Sequence, residues 1–178
     1  MVNITTERLI LREFKRSDFE AVHKYASDPL VVKYMPWGPN NDADTRRFLE
    51  KAKQSQLVNP RTSYELAIIL NDELIGGCGL TIKSVPDKQA EIGYCIRRDY
   101  WNMGIGTEVA AGLIKFGFKR LGLHKIIAKC DTMNHASYKI MEKNGMKKEG
   151  ILRDDKYIKG EWRNSYIYSI LENEWYEE

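Results

Sequence analysis

The sequence has 178 residues and a formal net charge of +3, with 28 basic against 25 acidic residues. That length suits one domain, and the 43% share of apolar residues excludes a disordered chain. The near balance of charge argues against a general nucleic-acid-binding protein. The sequence contains no run of about 18 apolar residues, so it does not predict a membrane helix. We therefore expect one globular domain over residues 1–178, with neither nucleic acid nor membrane as a partner.

The cysteines and histidines predict a cytoplasmic protein without a metal. Cys78, Cys95 and Cys130 form no CxxC pair, so a disulfide framework is not expected and a reducing compartment is favoured. The three histidines are too scattered for a zinc signature. The N-terminal residues lack the basic and apolar regions of a secretory signal peptide.

The first half of the chain mixes strands and helices. Ser17 stands three residues before Glu20, which predicts a capping box at the start of a helix. The pair Asn71–Asp72 between two apolar runs predicts a hairpin. The predicted elements are a strand over 4–12, a helix over 17–27, a helical turn over 31–35, a helix from about 44, and strands over 66–70 and 74–85.

The second half continues the mixture and ends in sheet. Gly145 suits the residue that follows a helix, and Lys159–Gly160 suits a turn between strands. The predicted elements are a strand over 91–96, a helix reaching about 121, a strand over 126–130, a helix over 134–144, and strands over 146–158 and 161–171. This order predicts one α+β domain.

A strand, a glycine turn and the start of a helix follow one another between Glu91 and Thr107. Unpaired N–H groups at a helix N-terminus suit a phosphate, and Gly104 and Gly106 allow close backbone approach. A dinucleotide fingerprint is excluded, because Val109 stands where its third glycine is required. Two glycines alone are a weak signal, since they could serve only helix packing.

The surrounding residues resemble a known superfamily. The turn Trp101–Gly106 is similar to the acetyl-coenzyme A (acetyl-CoA) turn of GNAT acetyltransferases, and Asn134–Ser137 with Glu142–Met146 resembles their downstream cofactor motif. The opening Thr6–Arg12 resembles the RimJ/RimL-like branch, which acetylates ribosomal proteins. The resemblance covers residues 5 to about 171. It implies a GNAT-type α+β fold, with a central mixed, mostly antiparallel twisted sheet flanked by helices.

The resemblance also implies acetyl-CoA as cosubstrate. Its diphosphate would rest on the backbone N–H groups of residues 102–107, and its pantetheine arm would pair with the strand end at 94–97. Asn134 suits a pantetheine amide, and it can cap its helix instead or as well. Arg97 and Lys143 could meet the phosphates, unless they are solvated surface charges. The predicted cofactor residues are Tyr94, Cys95, Ile96, Arg97, Asn102, Met103, Gly104, Ile105, Gly106, Thr107, Asn134 and Lys143.

Two side chains are candidates for catalysis. Ser137 lies one helical turn from Asn134 and would give a proton to the leaving thiolate, unless it only hydrogen-bonds at the helix start. Met141 stands where many relatives carry a tyrosine acid. Glu91 would act as base through a water, from the sheet face opposite Ile96, unless it is simply a paired carboxylate. Later carboxylates are alternatives for the base: Glu149, Asp154, Asp155 and Glu161.

The implied function is acetyl transfer to a primary amine by direct attack in a ternary complex. A protein N-terminal α-amine fits the branch best. A small amine (aminoglycoside, polyamine or amino acid) and a non-catalytic coenzyme A-binding module are the alternatives. Tyr34, Trp37 and Trp162 are expected on the acceptor side, and the strands after Lys147 could form a homodimer edge.

Overall fold

The computed structural model describes residues 2–176, which form eight strands and four α-helices. The strands are β1 (Asn3–Thr5), β2 (Leu9–Glu13), β3 (Ser63–Leu70), β4 (Glu73–Ser84), β5 (Gln89–Ile96), β6 (Lys125–Asp131), β7 (Lys147–Ile158) and β8 (Glu161–Leu171). The helices are α1 (Phe19–Ala26), α2 (Asp42–Ser55), α3 (Ile105–Leu121) and α4 (His135–Lys143).

All eight strands belong to one sheet in the order β1-β2-β3-β4-β5-β6-β8-β7. Each neighbouring pair is antiparallel except β5 and β6, which run parallel and are connected through α3. A parallel pair requires such a crossover, whereas the antiparallel pairs can be joined by short turns. The predicted α+β class and the mixed, mostly antiparallel sheet are confirmed.

Helices cover both faces of the sheet, so the core has two parts. On one face α3 buries Val109, Leu113 and Ile114 against the sheet. On the other face α1 and α2 bury Val22 and Leu49, among others, against β3 and β4. Each such side chain contributes about 1.5–3 kcal/mol when fully buried. The sheet therefore lies between two helical layers and has an apolar core on each face.

The predicted strand over 4–12 is wrong as a single element. The chain turns at Thr6, whose N–H donates to the Leu9 carbonyl at 3.0 Å, and β1 then pairs antiparallel with β2. Glu108 in the first turn of α3 accepts hydrogen bonds from the Thr6 hydroxyl and from the Arg8 backbone N–H. The turn depends on a residue a hundred positions away, so local periodicity does not predict it.

The predicted capping box of Ser17 and Glu20 is also wrong. Asp18 is the residue that caps this segment: its carboxylate accepts from the Lys15 backbone N–H at 2.8 Å and from the Arg12 guanidinium. The predicted helical turn over 31–35 consists of turns and bends outside any helix.

The predicted turns of the sheet are confirmed. Asn71 and Asp72 have φ of 50° and 64°, which the tight β3–β4 hairpin requires. Gly145 follows α4 with φ of 73°, as expected for a helix C-terminus. Among residues 2–176 no helix is both long and apolar enough to span a bilayer, and no three metal-ligand side chains cluster there.

Candidate active site

The two parallel strands part before they end. The last paired residues are Ile92 of β5 and Ala128 of β6, although β5 continues to Ile96 and β6 to Asp131. Beyond that pair the strands diverge and leave a gap in the middle of the sheet. Backbone groups that face the gap have no neighbouring strand.

Backbone N–H groups along β5 point alternately to β4 and to the gap, and one observed hydrogen bond shows which residues point which way. The Arg97 N–H donates to the Ile75 carbonyl of β4 at 2.8 Å. Because antiparallel pairs alternate, the N–H groups of Gly93 and Cys95 point to β4, whereas those of Tyr94 and Ile96 point into the gap. The predicted pairing of the pantetheine arm with the strand end at 94–97 therefore has free backbone N–H groups at Tyr94 and Ile96.

The turn after β5 leads into α3 with its N–H groups unpaired. Asn102 and Gly104 adopt φ of 62° and 78°, and the first helical bond runs from Glu108 N–H to the Gly104 carbonyl at 3.2 Å. Gly104 is the N-cap and provides no side-chain acceptor. No described carbonyl or side chain accepts from the N–H groups of residues 102–107. Free N–H groups at the start of a helix, together with the helix dipole, are the arrangement that suits an anion.

Arg8 holds this turn in place and was not singled out from the sequence. Its Nη1 donates to the Met103 carbonyl at 3.1 Å, and its Nε donates to Glu108 at 2.7 Å. Burial would raise the pKa of the Glu108 carboxyl, but the hydrogen bonds from Thr6 and Arg8 outweigh it, so the pKa lies below its ordinary value. A charged Glu108 thus ties the first turn of α3 to the β1–β2 turn.

A cleft of about 690 Å³ extends from this turn along the gap; we call it the α3/α4 cleft. It brings together Ser137 and ten of the twelve predicted cofactor residues: Tyr94, Cys95, Ile96, Asn102, Gly104, Ile105, Gly106, Thr107, Asn134 and Lys143. Lysines and an arginine outside the prediction also line it: Lys129, Lys139, Lys156 and Arg163. Arg163 is paired with Glu161 and Asp131, whereas the positive charge of the lysines complements a polyphosphate.

Arg97 and Met103 are the two predicted residues whose side chains do not line the cleft. The Arg97 guanidinium is buried and pairs with Glu73 at 2.5 Å and Asp99 at 3.1 Å. Met103 is half exposed, and its carbonyl is taken by Arg8. The Arg97 backbone N–H is also engaged, by the Ile75 carbonyl, whereas the Met103 N–H has no described acceptor.

Ser137 and Tyr94 lie side by side in the cleft wall. The Tyr94 hydroxyl is 3.4 Å from both the Ser137 Oγ and the Ser137 carbonyl. Burial raises the pKa of Tyr94 to about 12, with the Ser137 hydrogen bond opposing it, so the phenol keeps its proton at neutral pH. The Asn134 Oδ1 caps α4 by accepting from the Ser137 N–H at 3.2 Å, which leaves the Asn134 Nδ2 without a described partner.

A second cavity of about 700 Å³ lies on the opposite face of the sheet; we call it the α1/α2 cavity. Its floor includes Gly77, Gly79 and Gly93, and its walls carry aromatic side chains, among them Trp37. Residues 92–95 line both this cavity and the α3/α4 cleft. Of the side chains expected on the acceptor side, Trp37 lies here, Tyr34 lines the cleft, and Trp162 lines neither.

Glu91 lies in the α1/α2 cavity, on the face opposite Ile96 as predicted. It forms an ion pair with Lys83 at 3.5 Å. The alternative carboxylates Glu149, Asp154, Asp155 and Glu161 line neither space. The candidate base from the sequence therefore lines the α1/α2 cavity with its charge partly neutralised by Lys83.

The model of the Acetyltransferase (GNAT) domain matches residues 8–147, most of the chain. The chain belongs to the GNAT acetyltransferase family. The resemblance drawn from the sequence is thereby confirmed, and the chain is an acetyl-CoA-dependent N-acetyltransferase.

Relatives of this GNAT acetyltransferase span its full length. The uncharacterized N-acetyltransferase YnaD of Bacillus subtilis (strain 168) is 38% identical over 176 residues, covering 98% of this chain and 99% of that protein. The crystal structure of a GNAT-family acetyltransferase from Bacillus anthracis is 37% identical, with a TM-score of 0.85 over 97% of this chain and 100% of that one.

A more distant structure shares the fold alone. RimL, a ribosomal L7/L12 α-N-protein acetyltransferase in complex with coenzyme A, has a TM-score of 0.83 at 21% identity, over 96% of this chain and 98% of that one.

Proposed function

We propose that this enzyme binds acetyl-CoA in the α3/α4 cleft and acetylates the N-terminal α-amine of a protein that enters through the α1/α2 cavity. The observation that carries the proposal is the wall of residues 92–95 shared by the two spaces. A thioester held on one face of the sheet and an amine held on the other would meet at the gap. Both substrates can then be bound at once, as a ternary complex requires.

The chain's own groups fit the cofactor from end to end. The free N–H groups of residues 102–107 would hold the diphosphate, with Lys143 and Lys139 nearby. The N–H groups of Tyr94 and Ile96 would bind the pantetheine arm and the developing oxyanion at the thioester carbonyl. The free Asn134 Nδ2 suits a pantetheine carbonyl.

Direct attack is favoured over an acyl-enzyme because no thiol is poised to react. Burial raises the pKa of Cys95 to about 12 and that of Cys130 to about 11, and the pKa of Cys78 also lies far above its ordinary value. At neutral pH these groups stay protonated, whereas a nucleophilic cysteine must be a thiolate. The three free, buried cysteines also support a cytoplasmic location.

Ser137 and Tyr94 would supply hydrogen bonds, and finally a proton, to the leaving sulfur. Both hydroxyls reach the same part of the cleft wall. A serine hydroxyl is a poor acid on its own, but a neighbouring phenol that keeps its proton can donate to it. This pair would do the work of the tyrosine acid that many relatives carry at the position of Met141.

An α-amine is the acceptor that this site can use most readily. At pH 7, removing a proton from an α-amine of pKa about 8 costs roughly 1.4 kcal/mol, against about 4.6 kcal/mol for a lysine side chain. RimL, which shares the fold, is named as acting on the α-amine of a ribosomal protein. A small primary amine is the alternative, since the α1/α2 cavity is large enough for one.

The acceptor class is tested by thiol release from acetyl-CoA with three probes. These are an alanine-initiated peptide, the same peptide N-formylated with an internal lysine, and spermidine. We expect release with the free α-amine at a kcat/KM at least tenfold above the other two. Faster thiol release with spermidine would show that the acceptor is a small amine and not a protein N-terminus. No release with any probe would contradict the proposed reaction.

A further inference from the structure

One carboxylate lies on the floor of the α1/α2 cavity. Glu65 of β3, Gly79 of β4 and Gly93 of β5 are aligned across the three strands, because Glu65 pairs with Gly79 and Gly79 with Gly93. Residues aligned in this way share one face of the sheet. A Cβ atom at position 79 would lie 2.9 Å from the Glu65 Oε2, so the carboxylate lies over the glycine.

The space beyond this carboxylate is open and leads to the gap. A Cβ atom at position 93 would have no neighbour within 4 Å. Gly93 is also the first residue of β5 after its last pair with β6, at Ile92. Because neighbouring strands are about 4.8 Å apart, a group held over Gly93 lies roughly one strand spacing from the carboxylate over Gly79.

The other charges of the cavity are largely paired with each other. Asp44 pairs with Arg47 at 3.2 Å, and Glu91 pairs with Lys83 at 3.5 Å. Within residues 2–176, Glu65 has no ion-pair partner at salt-bridge distance, since the nearby Arg61 is engaged by Glu13 at 2.5 Å. Glu65 is therefore the carboxylate free to receive a cation from outside.

We propose that Glu65, rather than Glu91, receives the ammonium group of the acceptor over Gly93 and removes its proton. The proposal rests on the proposed function and deepens it. The acceptor would enter the α1/α2 cavity as a protonated amine, with its ammonium group directed at the Glu65 carboxylate. The open space over Gly93 leaves room for the ammonium group and for the chain that carries it. The Glu65 carboxylate thereby binds the acceptor as well as activating it.

The environment makes Glu65 a suitable base. Burial raises the pKa of its carboxyl above the ordinary value by more than the Ser63 hydrogen bond and the Arg61 charge lower it. A carboxylate with a raised pKa accepts a proton more readily near neutral pH. The titratable and charged groups that face the same space are Tyr25 of α1, Asp44, Arg47 and Lys51 of α2, Cys78 and Lys83 of β4, and Glu91, Tyr94 and Cys95 of β5.

The protons balance along this route. The acceptor enters with three protons on nitrogen and gives the first to the Glu65 carboxylate. The neutral amine then attacks the thioester carbonyl carbon, so that the C–N bond forms and the C–S bond breaks. The second proton passes from nitrogen to the departing sulfur through the Ser137 and Tyr94 hydroxyls. The third stays on the amide, and Glu65 releases its proton to solvent.

The test compares Glu65→Gln with the matched variant Glu91→Gln, across pH 6 to 10, using the acceptor probe that the unaltered enzyme acetylates best. We expect Glu65→Gln to lower kcat/KM for the acceptor about 100-fold at pH 7, with the loss shrinking as pH approaches 10, where the free amine forms unaided. Glu91→Gln should lose less than fivefold. The acetyl-CoA Kd should change less than twofold in both variants.

The outcomes separate this inference from the proposed function. If the unaltered enzyme acetylates no amine, the proposed function fails. If it turns over and Glu65→Gln stays within threefold at pH 7, or loses activity equally at every pH, only the role of Glu65 fails. If Glu91→Gln loses more kcat/KM at pH 7 than Glu65→Gln, Glu91 is the base. Should Glu65→Gln not fold, Glu65→Asp, which retracts the carboxylate by one methylene, must lose at least tenfold at pH 7.

Discussion

At the scale of single residues, the site depends on which polar groups the protein leaves without partners. The N–H groups of Tyr94 and Ile96 face a gap instead of a strand, and the Asn134 Nδ2 has no described acceptor. These residues are half-buried and line the α3/α4 cleft, where their unpaired groups are accessible to a ligand. Tyr94 and Ser137 also present their hydroxyls there, 3.4 Å apart.

Ser137→Ala and Tyr94→Phe test the proton donors. Each variant removes one hydroxyl from the pair, and a hydrogen bond to a charged group is worth about 1.5–3 kcal/mol. We predict that each lowers kcat about 10- to 100-fold at saturating acetyl-CoA, with an unchanged acetyl-CoA Kd by calorimetry. Tyr138→Phe is the matched control, because Tyr138 adjoins Ser137 on α4 without lining the cleft. Unchanged turnover in Ser137→Ala would remove Ser137 from the chemistry.

The family resemblance led to part of this candidate site. Gly104 stands at the start of α3, and Asn134 and Ser137 stand at the start of α4, so each of these motifs is local in the sequence. Glu65 could not be found in this way, since a single glutamate in an apolar strand carries no functional pattern. Its position matters only after three strands align it with Gly79 and Gly93. Arg8 was missed for the same reason, because its partners lie about a hundred residues away.

At the scale of elements, the β4–β5 pair is the most tightly constrained part of the site. A Cβ atom at position 76 would collide with the Cys95 carbonyl oxygen and lie 3.0 Å from the Ile96 Cα. Both atoms are backbone and cannot swing away. Glycine at this position lets β4 support β5 where β5 has already lost β6.

We predict that Gly76→Ala destabilises the protein by about 1–3 kcal/mol, because backbone must shift to admit the methyl group. Thermal unfolding should show a fall in Tm of roughly 2–4 °C for each kcal/mol. Gly150→Ala is the control, since a Cβ atom there meets nothing within 4 Å and should leave Tm within about 2 °C. Equal Tm values for the two variants would mean that position 76 has room for a methyl group beside the β5 backbone.

Elements with strong local signals were predicted well, and those held by distant contacts were not. The β3–β4 hairpin and α4 follow from Asn71–Asp72 and Gly145. Glu108 binds the turn between β1 and β2, and Arg12 binds Asp18 directly before α1. Tertiary hydrogen bonds therefore decided the boundaries that sequence periodicity placed wrongly.

At the scale of the whole molecule, the sheet separates two binding spaces and joins them at one gap. The helical layers on its two faces hold the spaces open from opposite sides. The edge strand β7 and its neighbour β8 expose Ile151, Tyr157 and Trp162. The homodimer expected on these strands stays a prediction, which light scattering after size exclusion would test.

The most direct measurement of the central claim compares acetyl-CoA with S-acetyl-pantetheine by calorimetry. The two share the thioester and the pantetheine arm, but only acetyl-CoA carries the diphosphate, with the 3′-phosphorylated adenosine attached to it, that the N–H groups of residues 102–107 are proposed to hold. We predict a Kd for S-acetyl-pantetheine at least about 100-fold higher, equivalent to about 2.7 kcal/mol. Equal affinity for the two compounds would contradict it.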